Sequence, residues 1–362
     1  MAAGPGEPAA PPSRPSAGAA LEARLRRVWF GPRGPLDAVA AELLRPLGVP
    51  VAAVAAGRRR RIAQAKATPR PRGRPPVVVV GNLVVGGTGK TPLLIALADA
   101  LAARGWRPGV LARGYRSAAE GGPPRRVGPD DDAAAVGDEP VLVARRTGRP
   151  VVVGRDRGAA LRLLAADGDC DVVLSDDGLQ HEGLPRDIEL AVFDARGAGN
   201  GRCLPAGPLR EPLRDALLLD ALVLNGRTAT PPIVHSRVFR FELAPTGLHA
   251  IDGARLWSPA GFAAEVDEVP VDAVAGIGSP QRFFDTLASL GLSMRRHPLA
   301  DHARIDPAWL AALPGPWIVM TEKDAVKCTG FDASLRARCV ALRVEAVADP
   351  ALVDWLEDRL RG

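Results

Sequence analysis

The chain has 362 residues and a formal charge of +6, with four cysteines (Cys170, Cys203, Cys328, Cys339) that lack both CxxC and zinc spacing. That length can bury a sizeable core, in two lobes, and the cysteine pattern suggests a reducing compartment with no disulfide framework. Aromatic residues make up 4% of the chain, with one tyrosine, which speaks against a base-stacking surface and a nucleic-acid partner.

Residues 1–20 are Ala, Pro, Gly and Ser and read as a disordered tail rather than a secretory signal peptide. Residues 21–30 form a candidate short basic helix. Residues 36–56 are largely apolar but are interrupted by Asp37, Glu42, Arg45, Pro46 and Pro50. A bilayer-spanning helix wants about twenty nearly uncharged residues, which this segment does not offer. Two readings stay open. One is an interfacial helix lying on a membrane, with the arginines between Arg58 and Arg74 as a basic patch for an anionic surface. The other is a helix packed on the catalytic lobe, followed by a solvated basic linker.

Residues 77–101 read VVVVGNLVVGGTGKTPLLIALADAL. A buried apolar strand, a glycine turn, Gly-Lys-Thr and a helix follow in the order that a phosphate-binding P-loop requires. The candidate nucleotide-binding residues are Val84, Val85, Gly86, Gly87, Thr88, Gly89, Lys90 and Thr91. Backbone N–H groups and the helix N-terminus would hold phosphate oxygens, Lys90 would reach the β/γ-phosphates, and Thr91 would ligate Mg²⁺. The usual pattern opens on Gly, where this chain has Val84.

Residues 109–112 are a further strand, and Arg113 and Arg116 follow it as candidate phosphate clamps. Asp138 and Glu139 lie at the start of a helix, either as N-caps or as catalytic or metal-partner carboxylates. The stretch 171–177 carries the apolar run 172–174 and ends in Asp176 and Asp177, which suits a Walker-B Mg²⁺ site. Residues 199–212 form a Gly-, Pro- and Arg-rich loop that includes Arg210 and would face a ligand. Residues 221–225 are expected to end the first sheet, and 239–256 read as a strand or hairpin. Residues 273–278 imitate a P-loop start without Lys and read as a tight βα turn. The turn around His302 could bring that histidine to a cleft. The expected class is α/β: a P-loop NTPase-like, mostly parallel sheet lobe over 77–235, a second, smaller α/β lobe over 236–362, and an N-terminal interfacial helical segment with its basic linker over 21–76.

These pieces, taken together, resemble the tetraacyldisaccharide 4′-kinase family, the lipid A kinases called LpxK. The matching segments are VVVVGNLVVGGTGKTP (77–92), LARGYR (111–116), VGDEP (136–140), SDDGLQH (175–181), GNGRCLPAGPLREP (199–212), AGIGSPQRFF (275–284), DHARID (301–306) and MTEKDAVKC (320–328). The resemblance implies transfer of the γ-phosphoryl of ATP, with Mg²⁺, to the 4′-hydroxyl of a tetraacyldisaccharide 1-phosphate, giving lipid IVA. It implies a protein at the cytoplasmic face of the bacterial inner membrane, peripheral or monotopic and monomeric. It also implies Asp138 as the base, His302 as its partner, Lys90 on the transferring phosphate, and Asp176 and Asp177 at the Mg²⁺ site. Around His302 the family often has a second His or Tyr, where this chain has Ala303. Arg113, Arg116 and Arg210 are candidates for substrate or nucleotide phosphate. Two rivals carry different expectations: a P-loop NTPase acting as a hydrolysis-driven switch, and a nucleotide-binding membrane adaptor without catalysis.

Overall fold

The valines of β1 (Val77–Gly81) alternate between two cores. Val78 and Val80 pack with Leu93, Leu97 and Leu101 on one face, and Val77 and Val79 pack with Leu161, Leu164 and Leu184 on the other. A strand buried on both faces reads as an uninterrupted apolar run. The computed structural model describes residues 17–31, 34–115 and 117–362.

Chain order adds β2 (Pro108–Ala112), β3 (Arg125–Val127), β4 (Val151–Val153), β5 (Val172–Asp176), β6 (Ile188–Phe193) and β7 (Ala221–Asn225). Then come β8 (Val238–Ala250), β9 (Leu256–Trp257), β10 (Val271–Ala275), β11 (Met294–Pro298), β12 (Ile318–Thr321) and β13 (Cys339–Ala348). They form one sheet in the order β11-β10-β12-β13-β8-β7-β6-β1-β5-β2-β4-β3, with β9 against β8. The first sheet was expected to end at β7, but it continues. The reason is the length of β8. Its first residues pair in parallel with β7, and from Phe241 onward it pairs antiparallel with β13. Beyond β13, the strands β12, β10 and β11 are again parallel and bury their own apolar layers on both faces.

The N-terminal helices are α1 (Ala17–Phe30) and α2 (Pro35–Lys66). Helix α1 takes in the last four residues of the expected tail, and residues 1–16 lie outside the described residues. Helix α2 runs unbroken through Pro46 and Pro50, although each proline removes an i→i−4 bond. Tertiary docking offsets that loss: Gly48, between the prolines, lies against the carbonyls of Cys203 and Leu204. By length and composition α2 qualifies as a membrane span, against the expectation that its interruptions would disqualify it. Leu36, Val39, Leu43 and Leu47 are exposed along it. The basic run is mostly docked on protein carboxylates rather than solvated. Arg59 is buried on Glu189 and Glu211, Arg58 and Arg61 pair with Glu182, and Arg70 and Arg74 pair with Asp187.

Three further helices carry or flank the candidate site: α3 (Lys90–Ala103), α4 (Ala133–Val136) and α5 (Asp138–Thr147). Helix α6 (Arg157–Ala165) covers the opposite face. All four cysteines are free.

Candidate active site

Strands β1 and β5 are parallel neighbours, with Val80 opposite Asp176. Their C-terminal ends therefore open side by side, where ligands bind in parallel sheets. The loop after β1 reaches α3 through Gly86 and Gly89, whose φ values of 98° and 90° lie in the left-handed region. At Gly89 space is also short, since a Cβ there would stand 2.6 Å from Nδ2 of Asn225. Asn82 and Asn225 brace the loop by donating to the carbonyls of Gly86 (3.1 Å) and Thr88 (3.0 Å). Val84 occupies the position of the usual first glycine and meets no need for one, since its side chain packs inward. It is buried and forms a β-bridge with Leu209, while the Val85 N–H donates to Pro208 (2.9 Å). This seats the Gly/Pro/Arg loop against the P-loop.

The Thr91 hydroxyl donates to Oδ2 of Asp176 (3.1 Å), and Oδ1 of Asp176 is buried with no hydrogen-bond partner. Burial first, then Glu139 and Asp177, pushes the Asp176 carboxyl up to about 7 against the pull of Lys90 and Thr91. An orphaned buried carboxylate oxygen beside a hydroxyl is the donor chemistry of a hard divalent cation. Mg²⁺ typically takes one or two protein carboxylates and completes its shell with water and phosphate. The residues present therefore fit Mg²⁺. Among the described residues no group of three or more His, Cys, Asp or Glu side chains could hold a metal by itself. Asp177 is differently placed. Both its oxygens accept from Nη1 of Arg210 (3.0 and 2.9 Å), and Lys90 Nζ is 3.8 Å away. Desolvation pushes Asp177 up, but Lys90 and Arg210 outweigh it and hold the carboxyl well below the usual range.

A second cluster forms at the start of α5. Gly137 has a φ of 102°, and Asp138 is the first residue of the helix rather than its cap. Nδ1 of His302 lies 3.1 Å from both carboxylate oxygens of Asp138. Nε2 of His302 faces Lys323 Nζ at 3.2 Å, and Lys323 also reaches Glu139 (3.0 Å) and Asp301 (3.4 Å). An ammonium can only donate, so Nε2 accepts, the ring proton sits on Nδ1, and Nδ1 donates to Asp138. Burial pushes Asp138 up, but the His302 hydrogen bond, Lys323 and Lys327 (3.6 Å) outweigh it and hold the carboxyl at about 2. Tyr115 stands edge-on to the imidazole, with ring centroids 5.4 Å apart. An open cavity of about 290 Å³ is lined by Asp138, His302, Tyr115, Lys327, Arg304 and Ile305, among others. His302 and Asp177 have φ values of 61° and 50°, two of the four non-glycine residues with positive φ among those described. Such strain concentrates at functional sites.

The family model for tetraacyldisaccharide-1-P 4′-kinase, LpxK, matches residues 40–361. The chain belongs to this family. LpxK relatives from Dechloromonas aromatica and Chromobacterium violaceum, both named tetraacyldisaccharide 4′-kinase, are 45% and 46% identical over 339 and 346 residues, covering 93% of this chain and 97% and 98% of theirs. The crystal structure of LpxK from Aquifex aeolicus in complex with ATP matches with a TM-score of 0.71 and 26% identity, over 88% of this chain and 99% of that one. The motif resemblance and the α/β fold class are thus borne out.

The LpxK-type motifs converge on two neighbouring clusters, one around Lys90, Thr91, Asp176, Asp177 and Arg210, the other around Asp138 and His302. Glu139 lies between them in charge: it follows Asp138, pairs with Lys323, and its negative charge is one of the causes that push the Asp176 carboxyl up. Arg113 does not join either cluster: it is exposed, pairs with Glu120 (3.1 Å) and lies over Tyr115. Arg116 lies outside the described residues. Sequence reasoning assigned no role to Lys323 and Lys327. Their i, i+4 spacing on one helical face was the available signal. The turn at Gly276 and Gly278 is a βα turn as expected, and Gly278 lies against Gly87 of the P-loop.

Proposed function

We propose that this chain is an ATP-dependent lipid kinase that moves the γ-phosphoryl group of ATP to the 4′-hydroxyl of a tetraacyldisaccharide 1-phosphate, giving lipid IVA in lipid A biosynthesis. The observation that carries this reading is the Asp138–His302 pair opening on a cavity, in a chain whose P-loop threonine meets the β5 carboxylate Asp176. A switch that only hydrolysed nucleotide would not need a buried carboxylate–imidazole pair facing a cavity of its own.

In this reading the P-loop amides and Lys90 hold the phosphates and stabilise charge on the transferring group. Thr91 and Asp176 hold Mg²⁺, which when bound supplies further charge neutralisation. Asp177 holds Lys90 and Arg210 in place. Asp138 accepts the proton of the 4′-hydroxyl as its oxygen forms the new bond to phosphorus and the bridging oxygen leaves with ADP. His302, locked as the Nδ1–H tautomer, keeps both Asp138 oxygens oriented. Lys323 and Lys327 keep Asp138 ionised, so the base is free whenever substrate arrives. Arg304, on the cavity wall, is a candidate for the lipid phosphate.

We also propose that 77–235 and 236–362 act as two lobes about this cleft, and that α2 lies at the cytoplasmic face of the inner membrane with Leu36, Val39, Leu43 and Leu47 toward lipid. The protein acts as a monomer and has no nucleic-acid partner. The test is transfer of radiolabelled γ-phosphate from ATP to tetraacyldisaccharide 1-phosphate in detergent, with Mg²⁺ or with EDTA. Mg²⁺-dependent labelled lipid supports the reading. Free phosphate without labelled lipid would replace it with a hydrolytic one. Flotation with anionic vesicles tests the membrane assignment.

A further inference from the structure

Four arginines end the apolar part of α2, and one of them, Arg59, points away from any surface. Its Nε and Nη2 form a fork on Glu211 (2.5 and 3.0 Å), and its Nη1 donates to Glu189 (2.9 Å). All three side chains are almost wholly buried. A bidentate guanidinium–carboxylate pair fixes direction as well as distance. Glu211 is in turn held from its other side, where Oε1 accepts from Nε2 of Gln180 at 2.7 Å.

Gln180 splits the path in two. Its Nε2 also donates to the carbonyl of Asn82 (3.1 Å), and the Asn82 side chain holds the Gly86 carbonyl inside the P-loop. Its Oε1 accepts from Nη1 of Arg210 (3.2 Å), the same nitrogen that grips Asp177 beside Lys90. Arg59 thereby fixes which way Glu211 faces, Glu211 fixes the amide of Gln180, and that amide sets both Arg210 and Asn82.

We propose that Arg59 is a positioning residue for the phosphate site, acting through Glu211 and Gln180 on Arg210–Asp177 and on the P-loop. The helix that presents an apolar stripe to solvent is thus also the element that braces the nucleotide end of the cleft. This rests on reading the site as an ATP site. It predicts that loosening the relay weakens nucleotide binding and leaves the lipid end untouched.

The variants are Arg59→Lys, which keeps the charge beside Glu189 and Glu211 but cannot form the fork, and Gln180→Leu, which cuts the relay and leaves both Arg59 ion pairs intact. The full-length protein is studied in detergent. Affinity for Mg²⁺–mant-ATP is read by fluorescence, KM for MgATP and for lipid by label transfer, and folding by thermal melting. Each variant should bind the probe about tenfold more weakly, with KM for MgATP raised to match and KM for lipid unchanged. The double variant should be no worse than Gln180→Leu alone, because the two substitutions cut one path. Additive losses, or a raised lipid KM with nucleotide affinity intact, overturn the proposal. If Arg59→Lys does not fold, Gln180→Leu decides alone, and parental affinity in that variant overturns the proposal. A parent that binds the probe but transfers no phosphate to lipid overturns the kinase reading, while the relay still stands or falls on the probe affinities.

Discussion

Lys323→Met tests the reasoning about the dyad most directly. Lys323 Nζ lies 3.2 Å from Nε2 of His302 and 3.0 Å from Glu139, with little solvent access. Methionine keeps the stem and removes the donor. The imidazole proton is then free to move to Nε2, which would turn a lone pair on Nδ1 toward the Asp138 carboxylate. A hydrogen bond to a charged group contributes about 1.5–3 kcal/mol. If that bond orients the base in the transition state, its loss lowers kcat between about 10- and 150-fold. Lys323 also helps to hold Asp138 at about 2. Without it the Asp138 carboxyl rises toward its ordinary value of 3.8, and the acid limb of the kcat/KM profile rises with it. KM for ATP should not change. The assay is label transfer across pH in detergent, on Lys323→Met, His302→Ala and the double variant. Near neutral pH, where Asp138 is ionised in every variant, the double variant should match His302→Ala in kcat, because there the lysine acts through the histidine. Parental kcat in Lys323→Met, or losses that add in full, would refute the tautomer argument.

Three other outcomes follow from the same geometry. Gly89→Ala combines a φ of 90° with a Cβ only 2.6 Å from Asn225 Nδ2, so Asn225 must release the Thr88 carbonyl. Strain of this kind costs about 1–3 kcal/mol, and the variant should melt lower and bind Mg²⁺–mant-ATP at least tenfold more weakly; retained affinity would contradict the crowding. Asp138, at about 2 in the folded chain against an ordinary 3.8, contributes stability that is present above pH 3.8 and lost as pH falls through about 2. The gap is worth about 2 kcal/mol, so urea unfolding of the parent and Asp138→Asn should converge between pH 5 and pH 2, and a constant difference would show that the carboxylate is not stabilised by its neighbours. Arg146 makes two bonds to Glu322, at 2.9 and 2.7 Å, in a nearly buried pair. Arg146→Met leaves Glu322 without its main partner and should lower stability by about 3–5 kcal/mol, while Arg146→Met/Glu322→Gln should recover much of it in denaturant titrations.

The P-loop was legible because it is local. Strand, turn and helix lie within one stretch, and each glycine has a backbone reason to be there. The dyad was legible only through family resemblance, since 164 residues separate His302 from Asp138 and no spacing rule joins them. Lys323 carried only a weak helical-face signal, because the carboxylates that hold it, Glu139 and Asp301, come from other elements. Arg59 was misread for the same reason. A run of four arginines reads as a patch for an anionic surface or as a solvated linker, and the burial of Arg59 depends on Glu211 and Glu189, 152 and 130 residues away. The continuous sheet was hidden in the 13 residues of β8, whose alternation cannot reveal that the strand changes partners midway.

That change of partner bears on the chemistry. Asp138 belongs to the half of the sheet that holds the P-loop, and His302, Lys323 and Lys327 belong to the other. Both ends of α5 are tied to one short helix, Glu322–Ala325: Glu139 to Lys323 at the start, and Arg146 to Glu322 near the end. A 1 Å misplacement can cost a reaction about 10²-fold, and a freely hinged pair of lobes would allow more than that. Two ion pairs on one helix resist sliding and rotation together, which one pair would not. One of the two pairs, Lys323–Glu139, also lies against the dyad, since the same Lys323 Nζ meets Nε2 of His302. In the proposed reaction, where Asp138 takes the proton of the hydroxyl, the two ion pairs keep α5 and the element that carries Lys323 in the register at which His302 meets Asp138.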